Sequence, residues 1–471
     1  MPRRSPYLIY LPVALLAGLW LLNWGSNRPL FLDEANVARN LFDQSYPGLF
    51  HPLDHEQYAP PLYLVLAKLS GDLFGYAEWS LRLPSLFGTV LAVAGLLSCG
   101  RSLKLNNWML LPLTALALNV FALRYLVELK PYGLDLGIAA TLLALFLRNP
   151  RPTVAIAAAG CVAPWLSLPS VFILAGGGAW AFFRPKQTTK IRLAWLKIAA
   201  GWLLSFGLLY YLTLRHSLSE SSLTAYHQAY FFPVRAQAGG VDVGATLDLL
   251  YRLLKVAFGH TVLSITTGTL LALIGWVTAT ERKGWLLAAP LLLAMLVSAG
   301  GYYSLIPRLV LFTLPGWWLG AALGARQLYR RGGKLRWLAL GLAVASVSGV
   351  DWPNHFRPVA YSDSRRLVTT YDAEYLPVLN ILSFPTFDYY HRIHPRGEGL
   401  PAYALSTETL SEEQSYVLLY DVLTSTSSWE QLQQEQMRAT ARGCRVRLEE
   451  QFRAAALYVD CQTEPFQGDP E

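Results

Sequence analysis

Along the first three quarters of the chain, apolar runs recur with only short polar or Pro/Gly-rich breaks between them. After Asp351 the pattern changes to shorter stretches with more charge. As helices, the apolar runs suit the ~30 Å hydrocarbon layer of a bilayer. The pattern predicts about eleven such helices, near residues 7–24, 80–99, 107–123, 133–147, 153–167, 169–183, 194–214, 257–279, 285–299, 307–325 and 336–350. The first run follows Met-Pro-Arg-Arg as a signal peptide's would, but no small-residue cleavage site follows it, so it reads as a retained helix. Beyond Asp351, SYVLLYDVL has the compact apolar run of a buried strand, SWEQLQQEQMRA is built of helix formers, and CRVRLEEQFRAAALYVDC reads as two further strands. The expected fold class is an all-α polytopic membrane protein with a small α/β domain at its C-terminus. The expected boundaries are a membrane domain over 1–350 with an outer loop at 25–79, and a soluble domain over 351–471.

Composition agrees with a membrane chain: 53% of the 471 residues are hydrophobic, only 15% are charged, and the mean hydropathy is +0.31. The net charge of +8 conceals an asymmetry. Residues 351–471 hold 18 acidic and 10 basic side chains, a net of −8, which leaves +16 on the rest. Those basic residues gather in short inter-helix loops: Arg101 and Lys104; Arg148 and Arg151; Arg184, Lys186, Lys190 and Arg192; Arg282 and Lys283; Arg326, Arg330, Arg331, Lys334 and Arg336. Only Glu281 interrupts them. This is the positive-inside pattern and not a nucleic-acid surface, and it places these loops and the N-terminus in the cytoplasm. An odd helix count then sends the tail outside, together with Gly25–Trp79, the turn Arg124–Pro131, a loop from about Arg215 to Lys255, and the turn Gly300–Ile306. Cys99 and Cys161 fall at or in the membrane as small apolar residues. Cys444 and Cys461 lie in the outer tail, where a disulfide and unpaired burial on neighbouring strands are both open.

The candidate chemistry sits in the outer segments. FLDEANVARN, residues 31–40, places Asp33 and Glu34 where the first apolar run has ended. On the pattern alone, Asp33 reads as the cap of a short amphipathic helix with Ala35, Ala38 and Leu41 on its apolar side. The same loop continues with HPLDHEQYAPPLYLVLAKL and GYAEWSLRLPS, in which Glu78 and Arg82 have the four-residue spacing of a helical ion pair. RYLVELKPYGLDL, residues 124–136, adds Glu128 and Lys130 on the second outer turn. His51 and His55, with Asp54 and Glu56 between them, have i, i+4 metal spacing, but Pro52 breaks the turn and further ligands are lacking, so no metal site is assigned. A Gly-rich phosphate loop is also missing, which argues against a nucleotide donor.

Taken in order, the DEA element, the Pro-Pro-Leu-Tyr element, the G-x-x-E-x-x-x-R-L-P entry to the second helix and the E-x-K-x-Y turn resemble the integral-membrane glycosyltransferases of the GT-C fold. Within that fold the chain is most similar to family 39 and its bacterial relatives, the protein mannosyltransferase-like and lipid A aminoarabinose transferase-like enzymes. The resemblance is good over residues 30–135, weaker to about 325, and absent in the tail. In YYSLIPRLVLFTLPGW, Arg308 follows the tyrosines that it precedes in those relatives.

The resemblance implies transfer of a sugar from a polyprenyl-phosphate carrier to an acceptor hydroxyl, with inversion, in a bacterial inner membrane whose outer side holds the C-terminal domain. It implies Asp33 as general base, Glu34 as the acid that orients the acceptor or Asp33, and Glu128 as a third acid positioning acceptor or sugar. Lys130, then Arg82, Lys68 and Arg308, are the candidates for the leaving phosphate, and Gln57, Tyr58 and Tyr132 for the substrate. Purely structural roles are open for some of these: Arg82 pairing with Glu78, Lys68 snorkelling to the interface, and the tyrosines as interfacial anchors. No cofactor is expected, although a diphosphate donor would recruit a divalent cation. The competing class is a transporter or flippase for lipid-linked sugar, without chemistry.

Overall fold

The structure, a computed structural model, describes residues 10–54, 57–185, 187–215, 227–236, 239–351, 361–380, 382–395, 401–411, 414–421, 423 and 426–461. His55, Glu56 and Lys186 lie outside the described residues. In chain order the helices are α1 (Tyr10–Gly25), α2 (Leu32–Asp43), α3 (Pro61–Phe74), α4 (Glu78–Leu81), α5 (Leu83–Ser102), α6 (Leu110–Leu118), α7 (Val120–Tyr125), α8 (Tyr132–Arg148), α9 (Val154–Leu166), α10 (Ser170–Phe182) and α11 (Thr189–Leu209). They continue as α12 (Val243–Phe258), α13 (Val262–Thr278), α14 (Lys283–Ala299), α15 (Leu314–Arg330), α16 (Gly333–Ser346), α17 (Ser364–Thr370), α18 (Phe384–Ile393) and α19 (Thr426–Ala441). Four strands, β1 (Leu376–Leu379), β2 (Tyr416–Tyr420), β3 (Arg445–Gln451) and β4 (Ala454–Asp460), complete the set.

The chain packs into two compact units. One comprises Met1–Ser26, Tyr46–Leu73 and Trp79–Pro358. The other comprises Asn27–Ser45, Phe74–Glu78 and Val359–Glu471.

In the first unit, helical stretches at Leu83–Ser102, Thr189–Leu214, Thr280–Ala299 and Pro307–Arg330 have the length and apolar composition to cross a bilayer, and shorter apolar helices stand at α1, α9, α10 and α13. As helices they pair most of their backbone polar groups internally, as a hydrocarbon surround demands. The stretch Pro307–Arg330 is 89% buried and central, whereas Thr189–Leu214 is 17% buried and exposes Leu203, Leu204 and Leu208, side chains suited to lipid contact. α5 and α8 cross with their backbones nearly touching. A Cβ added at Gly88 would lie 2.2 Å from the Gly133 carbonyl carbon, and one at Gly137 2.2 Å from the Gly88 carbonyl oxygen, so small residues fix the crossing. Contacts join several of the basic loops in pairs. Glu281 pairs with Arg184 at 3.4 Å and with Lys283 at 3.5 Å, and Arg326 donates to the Leu103 and Lys104 carbonyls, both at 2.7 Å.

Each of the eleven expected segments contains helix, with three departures from the expected pattern, one of them the 14-residue α3 inside the expected outer loop at 25–79. The segment expected over 107–123 breaks at Asn119, whose Oδ1 accepts from the Ala122 amide at 2.8 Å and so starts α7, and whose Nδ2 donates to the Val256 carbonyl at 2.7 Å. The expected loop at Arg215–Lys255 contains the greater part of α12. Asp242 caps it by accepting from the Ala245 amide at 2.9 Å, and Leu249, Leu253 and Val256 form its buried stripe.

The second unit holds a four-stranded sheet in the order β1-β2-β4-β3, with β1 parallel to β2 and the other neighbours antiparallel. β2 and β4 are buried almost throughout, which is why they read as unbroken apolar runs. Edge strand β3 alternates charged residues outward, a pattern that blunts pairing with other chains. α19 packs Leu432 and Ala439 against Tyr416, Leu418, Leu457 and Val459. The strands and helix expected in the tail are therefore present, while β1, α17 and α18 add to them. Cys444 and Cys461 are disulfide-bonded across the β3–β4 hairpin.

Candidate active site

α8 begins the first unit's site. It has 17 residues and so spans ~25 Å from Tyr132 to the basic loop at Arg148, which puts its N-terminus at the end away from the basic loops. Around that N-terminus lies a cavity of about 450 Å³ lined by Tyr58, Lys130, Tyr132, Asp135, His227, Tyr303 and Ser304, with Pro60, Leu168, Leu214 and Phe231 among its apolar walls. The turn before α8 is pinned by Ser85, whose hydroxyl contacts the carbonyls of Glu128 and Lys130, both at 2.7 Å. Lys130 is buried, 7% exposed, and its Nζ donates to Gln57 Oε1 at 2.8 Å. Glu128 lies 3.6 Å from the Arg124 guanidinium.

Asp135, one turn into α8, is 4% exposed and its Oδ1 completes no hydrogen bond. Ser167 approaches this carboxyl, but its hydroxyl is also left without a partner. Burial first, and then the Asp135 carboxylate, push the Tyr58 and Tyr303 phenols above their usual range, so both remain protonated donors. Tyr303 donates to the Leu309 carbonyl at 2.7 Å, whereas Thr213 approaches the Tyr58 hydroxyl without completing a hydrogen bond. The His227 imidazole is held below its ordinary value by burial and then by the charge of Arg308.

In the second unit, α2 carries the paired carboxylates. Phe31, not Asp33, is the N-cap residue, and Asp33 falls in the first turn, where the positive end of the helix favours an acid. Glu34, buried at 2% exposure, turns back so that its Oε2 accepts from the Phe31 amide at 3.3 Å. That is half of a capping box, because Phe31 has no side-chain acceptor to complete it. The remainder of α2 is locked to α18: Arg39 pairs with Asp388 and stacks over the Phe384 ring at 4.7 Å, while Arg392 bridges Asp388 at 3.1 Å and also pairs with Asp43. Glu78 supports the chain just before α2. Its carboxylate accepts from Asn27 Nδ2 at 3.1 Å, Arg365 at 3.0 Å and Tyr390 OH at 3.0 Å, and Tyr390 OH in turn accepts from the Leu30 amide at 2.7 Å.

Of the residues singled out from the sequence, Gln57, Tyr58, Lys130 and Tyr132 come together at the cavity, Glu128 sits on the turn that presents Lys130, and Arg308 stands beside His227. Lys68 lies 5.6 Å from the Tyr46 ring centroid on α3 and does not line the cavity. Arg82 is the buried N-cap residue of α5. Asp135, His227, Tyr303 and Ser304 escaped the sequence reading. Asp135 did leave a signal, an ionisable residue inside an apolar helix; the other three are brought in only by folding. Among the described residues no group of three or more His, Cys, Asp or Glu side chains is placed to hold a metal ion.

No protein-family model matches the chain, and no curated protein matches it by sequence. Two solved structures do match by fold: ArnT from Cupriavidus metallidurans in the apo state, with a TM-score of 0.55 and 12% identity over 96% of this chain and 97% of that one, and the same protein bound to undecaprenyl phosphate, with a TM-score of 0.54 and 14% identity over 96% and 98%. With its apolar helices and small four-stranded sheet, the chain is a multi-pass membrane protein with an ArnT-like GT-C fold.

Proposed function

We propose that this protein is an inverting glycosyltransferase that moves a sugar from a polyprenyl-phosphate donor to an acceptor hydroxyl at the outer face of a bacterial inner membrane. The observation that carries this reading is the cavity at the α8 N-terminus, where a buried lysine, a buried carboxylate and tyrosine hydroxyls converge at the end of apolar helices opposite the basic loops. A membrane-anchored phosphate needs a desolvated cation, and the sugar attached to it needs polar partners in the same space. The likeness to a fold whose solved example holds undecaprenyl phosphate supports the same donor class.

In this mechanism the acceptor oxygen forms a bond to the anomeric carbon on the face opposite the phosphate, and its proton passes to the Asp33 carboxylate. The bond from the anomeric carbon to the phosphate oxygen breaks, and the electron pair leaves with the lipid phosphate. Lys130 meets the charge that grows there. Glu34, engaged with the Phe31 amide, holds the first turn of α2 and so positions Asp33. Glu128 orients the turn that presents Lys130. No metal is required, because a single phosphate leaves.

The test uses purified full-length protein with a panel of polyprenyl-phosphate sugars and acceptor alcohols. Transfer should fall by roughly 10²–10⁴-fold in Asp33→Asn, the range of a lost general base. An Asp33→Asn variant that folds and transfers as fast as wild type overturns the assignment. Translocation of donor across vesicles with no new glycosidic bond would identify a flippase instead.

A further inference from the structure

The cavity contains polar groups for which binding a phosphate has no use. Asp135 Oδ1, Tyr58 OH and Ser304 Oγ all belong to residues lining it and all are buried; Ser167 lies near the Asp135 carboxyl and Thr213 near the Tyr58 hydroxyl, but none of the three atoms completes a hydrogen bond of good geometry among the described residues. Asp135 is 4% and Ser304 7% exposed. Buried polar atoms are rarely left unmet. Three of them sharing one cavity mark the place where a bound molecule supplies the missing partners. The favourable position of a carboxylate in the first turn of α8 explains why Asp135 is tolerated, but gives Oδ1 no donor and says nothing of the two hydroxyls.

We propose that Asp135, Tyr58 and Ser304 form a hydroxyl-reading subsite for a polyhydroxylated sugar ring that carries no acidic group. This rests on the donor reading above and names the class of sugar. A carboxylate accepts from ligand hydroxyls, while a phenol and a serine hydroxyl each donate and accept, so adjacent ring hydroxyls satisfy all three. The rings of Tyr303 and Phe231 give the same cavity apolar wall for the C–H faces of a sugar. Charge decides against one alternative: an acidic sugar would meet the Asp135 carboxylate, which has no donor to spare for a second anion. Lys130 and Asp135, five positions apart on either side of the α8 start, thus divide the cavity into a phosphate end and a hydroxyl end.

Equilibrium binding on full-length protein in lipid nanodiscs tests this, with undecaprenyl phosphate alone and with the same carrier bearing mannose, glucose or glucuronic acid. Wild type should bind a neutral-sugar carrier roughly 10–100-fold more tightly than the bare carrier. Asp135→Asn should lose most of that increment, and Ser304→Ala and Tyr58→Phe part of it, with bare-carrier affinity unchanged in all three. Ser304→Ala and Tyr58→Phe carry the test if Asp135→Asn does not fold. The proposal is overturned if no neutral sugar adds affinity, if the variants weaken the bare carrier equally, or if the glucuronic acid carrier binds tightest. A sugar increment without transfer to any acceptor would sink the proposed reaction and leave the subsite standing; transfer without a sugar increment would do the reverse.

Discussion

Removing the Glu78 carboxylate should loosen the helix that bears Asp33. Glu78 is 2% exposed and takes three donors, Asn27, Arg365 and Tyr390, while Tyr390 OH accepts from the Leu30 amide two residues before α2. In Glu78→Ala these donors lose their acceptor. Breaking a buried charge pair costs about 3–5 kcal/mol. Arg365 is 33% exposed and regains water, so the lower end, about 3 kcal/mol, applies here. That corresponds to a roughly 10²-fold rise in local opening. Hydrogen exchange followed by mass spectrometry on the full-length protein reads it directly. Amides of residues 30–37 should exchange about 100-fold faster if they open with the network, and Glu78→Gln should show a smaller change because it retains an acceptor. Tyr390→Phe should be strongly non-additive with Glu78→Ala, since the two share one hydrogen bond. Exchange within about twofold of wild type at these amides would refute the idea that this network holds α2.

Gly88→Ala should lower thermal stability by about 1–3 kcal/mol or more, because its new Cβ meets Gly133 backbone at 2.2 Å and neither chain is free to yield. Gly18→Ala, with no atom within 4 Å of the added carbon, should be neutral or slightly stabilising in the same melting assay. His227 has a depressed value in the folded protein, so its neutral ring is the favoured form there. Its contribution is fully present above the ordinary value of 6.5 and is lost as pH falls through the lower folded value. Melting at pH 7.5 and 5.5 should therefore show a smaller acid loss in His227→Gln than in wild type, and equal losses would exclude His227 as the cause. Chelation with EDTA should leave the proposed transfer rate unchanged, and a loss restored by Mg²⁺ or Zn²⁺ would reinstate a metal.

What could be read from the sequence was set by requirements that act locally. A segment in hydrocarbon must satisfy its own backbone and show apolar side chains, so the helical spans announce themselves residue by residue. The buried strands β2 and β4 did so for the same reason in the tail. The features that went unread depend on partners far along the chain. The break at Asn119 is stabilised by a carbonyl 137 positions away, Glu78 takes its donors from 51, 287 and 312 positions away, and Arg39 finds Asp388 across 349. No window of sequence reports such pairs.

The same distinction explains why the carboxylates of α2 stood out while their setting did not. Asp33 and Glu34 are visible as a motif, but α2 packs in the same unit as the tail, whose own sequence carries none of these motifs. Its apolar side, with Arg39 buried among it, is read as core only once α18 supplies Asp388 and Phe384. For a transferase this arrangement separates two demands. The proposed phosphate cation, Lys130, and the proposed hydroxyl acceptor, Asp135, flank one helix start, α8, whose crossing with α5 tolerates almost no movement. The proposed base sits on a helix fixed by ion pairs instead of backbone contact, and ion pairs can be exchanged for water where backbone contact cannot. Substitutions at Asp388 should therefore affect the proton-transfer step before donor affinity, and substitutions at Gly88 the reverse.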